Sequence, residues 1–330
     1  MTVHASAPCR VDLAGGTIDV WPVCHLLDVP VRTVNLALDL PAQVWAEERR
    51  DGLVEIESED RAQKVSLRAD RLEHGALGLL TRLVAHFGAG SGLSLRTRCS
   101  APPRSGLGGS SALAVAAAAA LGTLRGRPLP PDLLLRIVQN VEAASLGTLT
   151  GYQDYVPALR GGLHVLTATP EGILQEREDG AIALLEAHLV LVDTRVEHES
   201  GMRNWEVVRA FLDGDRRVRA SFEAIARIAA EMRDALRAAD LPRIARGLDR
   251  EWTERRKLAP EVTNARVDAI EAAARGAGAL AAKICGAGGG GCLALLAEAG
   301  AHAAVRRAVE SAGARIVAWR ADRRGLAVTP

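Results

Sequence analysis

The chain has 330 residues, with 41 Lys+Arg against 40 Asp+Glu and a formal net charge of +1. Acids and bases are interspersed along it, so no global basic field for nucleic acid or an anionic membrane is expected. The length fits two domains of ordinary size, and the 48% hydrophobic content is globular, although aromatics supply only 3%.

At the N-terminus, MTVHASAPCRVD shows no charged segment followed by an apolar one, so no signal peptide is expected. Ala7–Asp12 reads as a strand running into a glycine turn that carries Asp19. Strands follow at Val31–Leu40, Gln43–Glu47 beyond Pro41, Val54–Glu57 and Leu93–Arg98, with a helix over Leu77–Phe87 between the last two. A glycine-rich turn then opens into an alanine run. Its purely apolar part, Ala112–Leu121, is a strong helix former but shorter than the roughly 20 residues that span a membrane. Arg125–Pro131 breaks that helix. Asp132 is expected to cap the next, which runs to about Leu146 with an apolar stripe at Leu134, Ile137, Val138 and Val141. Gly161–Thr167 and His188–Asp193 read as strands, and Arg203 to about Ala274 reads as helix with breaks near Asp213–Asp215, Pro242 and Pro260. The end reads strand, glycine turn, strand, helix, strand: Ala279–Cys285, Gly286–Gly291, Cys292–Ala297, His302–Ser311, Ala314–Trp319. An α+β chain of two domains is expected, with a boundary near 170–187.

Cysteines 9, 24, 99, 285 and 292 are odd in number and scattered, without a zinc spacing, so a reduced, cytoplasmic protein is expected. Lysine is rare: only Lys64, Lys257 and Lys283. The arginine excess reflects a background bias, so single arginines carry little information.

Three glycine-rich segments hold the chemistry. Pro103-Arg-Ser-Gly-Leu-Gly-Gly-Ser-Ser-Ala112 opens directly into a helix, a design that brings backbone N–H groups to an anion. It equally suits a helix-capping loop with Ser110 or Ser111 as the cap. No Gly-Lys-Ser/Thr follows, so it is not a Walker A loop, and Ala112 replaces the last glycine of a nucleophile elbow. Gly286-Ala-Gly-Gly-Gly-Gly291 satisfies GxGxxG, but a strand follows it where a Rossmann fold needs a helix, so a hairpin loop against a ligand is expected. Ala7-Pro-Cys-Arg-Val-Asp-Leu-Ala-Gly-Gly-Thr-Ile-Asp19 is the third.

In this order, Pro-x-Arg-x-x-Leu-x-Gly…Asp, then Pro-x-x-x-Gly-Leu-Gly-x-Ser-Ser-Ala, then Lys-x-x-Gly-Ala-Gly-Gly-Gly-Gly, the chain resembles the GHMP kinase superfamily of galactokinase, homoserine, mevalonate and phosphomevalonate kinases. The resemblance implies an N-terminal α+β domain of the ribosomal-S5-domain-2 type, residues 1–180, and a ferredoxin-like domain, residues 181–330. It places Pro103, Ser105, Gly106, Leu107, Gly108, Gly109, Ser110 and Ser111 around the ATP phosphates, with Gly286, Gly288 and Gly289 also on the nucleotide. Gly109 stands where the motif has its first serine, so the Mg²⁺ hydroxyl is Ser110 by alignment or Ser111 by a shift. Glu142 would be the second metal ligand; it shares a helix edge with Leu135 and Val138.

By the same resemblance Asp154 is the general base and Arg10 lies near the acceptor hydroxyl and the γ-phosphate. Asp19, with Gly16, Thr17 and Gln153, would bind the acceptor. Gly15-Gly-Thr-Ile-Asp19 and Gln153-Asp154…Gly161-Gly162 are similar to heptose-7-phosphate kinases and fucokinase-type enzymes. An ATP- and Mg²⁺-dependent sugar or sugar-phosphate kinase is therefore expected, acting on a small molecule, with a homodimer as the family's guide to assembly. The alternatives are a mevalonate-pathway kinase or ATP-dependent decarboxylase, and a non-catalytic nucleotide- or metabolite-binding regulator on the same fold. A serine hydrolase ranks below both. Arg195 and His198, after the first strand of the second domain, are weaker candidates for reaching the cleft.

Overall fold

The computed structural model describes residues 1–73, 75, 77–196 and 202–330, with backbone alone at 202–204. Strand periodicity organises the N-terminal half. In β1 (Thr2–Ala14), Val3, Ala5, Ala7, Cys9, Val11 and Leu13 all turn into the core and are fully buried. After α1 (Val23–Leu26), β2 (Arg32–Glu48) pairs antiparallel with β1. It is one strand where a break at Pro41 was expected. Pro41 faces Pro8 beside a shift in register, so the two residues without N–H groups oppose each other and the ladder continues past them.

The chain continues through β3 (Leu53–Ser58), β4 (Gln63–Arg68), α2 (Gly78–Phe87), β5 (Leu93–Cys99), α3 (Gly109–Leu124), α4 (Pro131–Leu146), α5 (Tyr155–Arg160), β6 (Leu163–Thr169) and β7 (Gly172–Arg177). Next come α6 (Ile182–His188), β8 (Leu189–Asp193), α7 (Met202–Leu212), α8 (Arg216–Arg237), α9 (Leu241–Arg256) and α10 (Ala265–Gly276). The end is β9 (Ala279–Ile284), β10 (Cys292–Ala297), α11 (His302–Ser311), β11 (Arg315–Val317) and β12 (Ala327–Thr329). The first sheet has the order β12-β1-β2-β5-β3-β4, with β6 and β7 attached through β2. The second is antiparallel, β11-β8-β10-β9, which with its helices makes the ferredoxin-like β-α-β-β-α-β unit expected of the second half. Residues 327–329 leave that unit and pair with β1.

Two local expectations are corrected. Asp132 lies inside the first turn of α4; Pro130 is the cap and Pro131 the first helical residue, a position where its missing N–H costs nothing. Ser110 and Ser111 do not cap α3, whose cap is Gly108 in the left-handed region, with no side-chain cap bond.

α3 is apolar all round and correspondingly enclosed, with Ala114 to Ala118 fully buried. Its small side chains let it lie close against β1 and β2 while α2 and α4 cover its outer side. Ala229, Met232, Ile244 and Leu248 of α8 and α9 join the same core. A separate apolar cluster packs Ile18, Val20 and Val23 against Val207, Phe211 and Phe222, so the segment around Asp19 is anchored by α7 and α8. No helix among the described residues is long and apolar enough to cross a membrane.

Because α3 is packed on every side, Ala117→Leu should destabilise the chain by about 1–3 kcal/mol. Urea unfolding with a lower midpoint at unchanged slope is the expected result; an unchanged midpoint would mean that α3 has room to spare.

Candidate active site

The three glycine segments meet at one cavity of about 530 Å³. Gly106 has φ +73°, and a Cβ there would lie 2.3 Å from the Cys285 carbonyl oxygen. A Cβ on Gly286 would lie 2.8 Å from the Gly106 Cα. Backbone thus touches backbone, which only glycine at both positions permits. The Cys292 N–H donates to the Ser105 carbonyl at 2.8 Å and locks the hairpin loop onto the helix-opening loop. Gly109, Ser110 and Ser111 begin α3 on the cavity wall, and the first N–H groups of a helix have no intrahelical acceptor. That end of the cavity suits an anion.

Arg10 projects from β1 and is 2% exposed. Its Nε and Nη2 donate to Asp154 Oδ1 at 2.8 and 2.6 Å, and its Nη1 donates to the Gly106 carbonyl at 2.5 Å. Burial opposes the guanidinium charge, but Asp154 and Asp12 more than offset it and raise the Arg10 pKa. One side chain therefore connects the phosphate-type loop to the candidate base. Asp154 immediately precedes α5, and both contacts fall on its Oδ1. Glu142 of α4 is 3% exposed, and its Oε2 accepts from the Ser111 hydroxyl and the Tyr155 hydroxyl, both at 2.7 Å. Burial raises its pKa, while hydrogen bonds from Ser110, Ser111 and Tyr155 act against the rise.

Thr17, Asp19 and Gln153, expected on the acceptor side, line the same cavity, and Gln153 is next to Asp154 in the chain. Asp19 is buried and accepts from the Gln153 N–H at 3.0 Å. Burial pushes its pKa up to about 6, against that hydrogen bond. The carboxylate fits only because residue 151 is glycine, since a Cβ there would lie 1.9 Å from Asp19 Oδ2. The Gln153 Oε1 is buried without a hydrogen-bond partner in the structure.

Some expected residues lie off the wall. Leu107 is buried in the core and contributes its carbonyl, which accepts from the Arg10 N–H at 2.9 Å. Gly16 faces Arg255 and Asp12, and Gly288 and Gly289 pack against Val262, whose carbonyl accepts from the Gly289 N–H at 2.7 Å. Arg195 is exposed and outside the cavity, and His198 lies outside the described residues.

Sequence reasoning singled out Lys283, at the head of the Lys-x-x-Gly-Ala-Gly motif, but missed the buried charged cluster around it behind the cavity. Lys283, fully buried on β9, donates from Nζ to Asp12 Oδ2 at 2.5 Å and to the Asp12 carbonyl at 3.1 Å. Asp12 Oδ1 accepts from the Gly286 N–H at 3.1 Å. Burial drives the Asp12 pKa up, but Lys283, Arg10 and Arg255 together bring it below the ordinary carboxylate value. Glu251 of α9 lies 3.3 Å from Arg255 Nε and 3.9 Å from Lys283 Nζ. Arg255 faces the cavity between Thr17 and Gly286. An acid inside the apolar strand Val11-Asp-Leu-Ala14 was the available signal for Asp12. Glu251 and Arg255 had none, because they read as an ordinary i, i+4 surface pair in an Arg/Glu-rich helix.

Comparison with known proteins gives the arrangement a family. The family model described as GHMP kinases N terminal domain matches residues 74–162, and the one described as GHMP kinases C terminal matches 232–315. The chain is 27% identical over 305 residues to the D-glycero-alpha-D-manno-heptose 7-phosphate kinase of Campylobacter jejuni, covering 88% of each protein. It is 26% identical over 317 residues to the mevalonate kinase of Thermococcus onnurineus, covering 90% of each. Its fold is similar to that of Lactococcus lactis galactokinase complexed with galactose, at a TM-score of 0.80 and 18% identity over 99% of this chain and 95% of that one. The chain belongs to the GHMP kinase family.

Proposed function

We propose that the chain is an ATP-dependent kinase that phosphorylates a hydroxyl of a sugar or sugar phosphate, with residues 1–180 and 181–330 as its two domains. The observation that carries this reading is the placement of Arg10 and Asp154 between an anion-suited helix start and a buried, hydroxyl-accepting pair. Asp19 and the unpartnered Gln153 Oε1 are both hydrogen-bond acceptors, and hydroxyl groups of a polyol would satisfy them. A hydroxyl-rich acceptor suits that side better than a mevalonate-type acid does.

In this reading the nucleotide phosphates lie against residues 105–111 and the 286 loop. Asp154 orients the acceptor hydroxyl and takes its proton through Oδ2, because Arg10 occupies Oδ1. Arg10 also offsets negative charge spreading over the transferred phosphoryl group. The donor set fits Mg²⁺: Glu142 is a buried carboxylate whose charge is disfavoured by burial, and the Ser110 and Ser111 hydroxyls beside it are hard oxygen donors. When bound there, the ion would offset phosphate charge. Positioning and electrostatics then supply most of the acceleration.

An ADP-release screen over neutral hexoses, 6-deoxysugars, uronic acids, heptose 7-phosphate and mevalonate tests the reading. A sugar or sugar phosphate should give ADP, and turnover with mevalonate alone would overturn it. Asp154→Asn should lower kcat by about 10²–10⁴-fold; near-normal kcat would remove Asp154 from the chemistry.

Asp19 should also burden stability. In the folded chain it keeps its proton up to about pH 6, and in the unfolded chain only to its ordinary 3.8. The folded state is therefore favoured at low pH and loses that advantage as pH rises from about 4 to 6. Asp19→Asn should stabilise the chain at pH 7.5 by about 1–3 kcal/mol relative to its effect at pH 4. Urea unfolding at the two pH values measures this, and an equal effect at both would contradict the buried, proton-retaining Asp19.

A further inference from the structure

Arg255 lies in the last turn of α9 with its side chain 3% exposed. Its Nη1 donates to the Gly286 carbonyl and its Nη2 to the Thr17 hydroxyl, both at 2.6 Å. One rigid, planar group thus holds two loops that are 269 residues apart in sequence at their nearest, between Thr17 and Gly286. Thr17 has φ +76°, a region that β-branched residues seldom occupy, so the turn before Asp19 depends on contacts that hold it there. The apolar anchors in this segment begin at Ile18, one residue later. Gly286 in turn abuts Gly106, and the Gly106 carbonyl accepts from Arg10. The contacts run from Thr17 through Arg255, Gly286 and Gly106 to Arg10 and Asp154.

We propose that Arg255 is a positioning residue that makes the order of the acceptor loop depend on nucleotide bound at the glycine loops, so that the two substrates bind cooperatively. This rests on the reading of residues 15–19 as the acceptor side and of the glycine loops as the nucleotide side. A nucleotide that restrains Gly286 restrains the guanidinium, and through it the Thr17 hydroxyl. Linkage then requires the acceptor to tighten nucleotide binding by the same factor. Lysine cannot replace arginine in this role, because a single ammonium lacks the planar fork that spans both acceptors.

Amide hydrogen exchange of the segment 13–22, with and without saturating Mg·AMP-PNP, tests the proposal without needing the acceptor's identity. In the native chain the nucleotide should slow exchange there by about 5-fold or more. Thr17→Val, which keeps the branched shape and removes the hydroxyl, should abolish the slowing while AMP-PNP still binds, and Thr17→Ser should retain it. Arg255→Lys should behave as Thr17→Val does; if it fails to fold, the two Thr17 variants decide. Exchange that ignores the nucleotide in the native chain, or slows equally in Thr17→Val, overturns the proposal. Failure of AMP-PNP to bind the native chain at all would instead overturn the kinase reading on which the proposal stands.

Discussion

The ion pair between Lys283 and Asp12 is the constraint on which the site depends. It joins β9 of the second sheet to β1 of the first, with both side chains fully buried. Removing two charges from water is costly, and such a pair persists only when the remaining donors and acceptors are also matched. Here they are. Lys283 also donates to the Asp12 carbonyl, and the second Asp12 oxygen accepts from the Gly286 N–H. One carboxylate thus fixes both the end of β9 and the start of the glycine loop. Strand alternation then does the rest: Arg10 and Asp12 share one face of β1, while Cys9, Val11 and Leu13 fill the core on the other.

From that fixed point the cavity is assembled by close backbone approach rather than by long side chains. The 286 loop rests on Gly106, Gly106 accepts from Arg10, and Arg10 holds Asp154. The groups on the acceptor side are less comfortable. Asp19 is a carboxylate in a place that resists its charge, Thr17 has an unfavourable φ, and Gln153 leaves an oxygen unpartnered. Local structure of this kind persists only where its surroundings over-determine it, and the apolar cluster from Ile18 to Phe222 supplies that support.

Much of this was legible in the sequence because the relevant signals are local. The alanine run, the strand–glycine–strand ending and the three motifs each lie within a short window, and the structure brings the motifs to one cavity. Three edge strands of the first sheet were not legible, although β9 and β11, the edges of the second, were. β4, β7 and the last strand each pair on one side only and show little buried alternation, so no strand was read there. Serine at a helix start reads as a cap, yet Gly108 takes that position and leaves Ser111 to Glu142. The charged cluster was hidden for a different reason. Burial of Glu251 and Arg255 is decided by the sheet that α9 lands on, and nothing within the helix distinguishes them from their solvated neighbours.

A double-mutant cycle on Asp12 and Lys283 tests the central claim most directly. Asp12→Asn and Lys283→Met should each cost about 3–5 kcal/mol in urea unfolding, since each removes one partner of a fully buried pair and leaves the other without its short contact. The double variant should lose no more than the worse single one. Losses that add to within about 0.5 kcal/mol would mean that the two residues act independently, and that the glycine loop is held by something else.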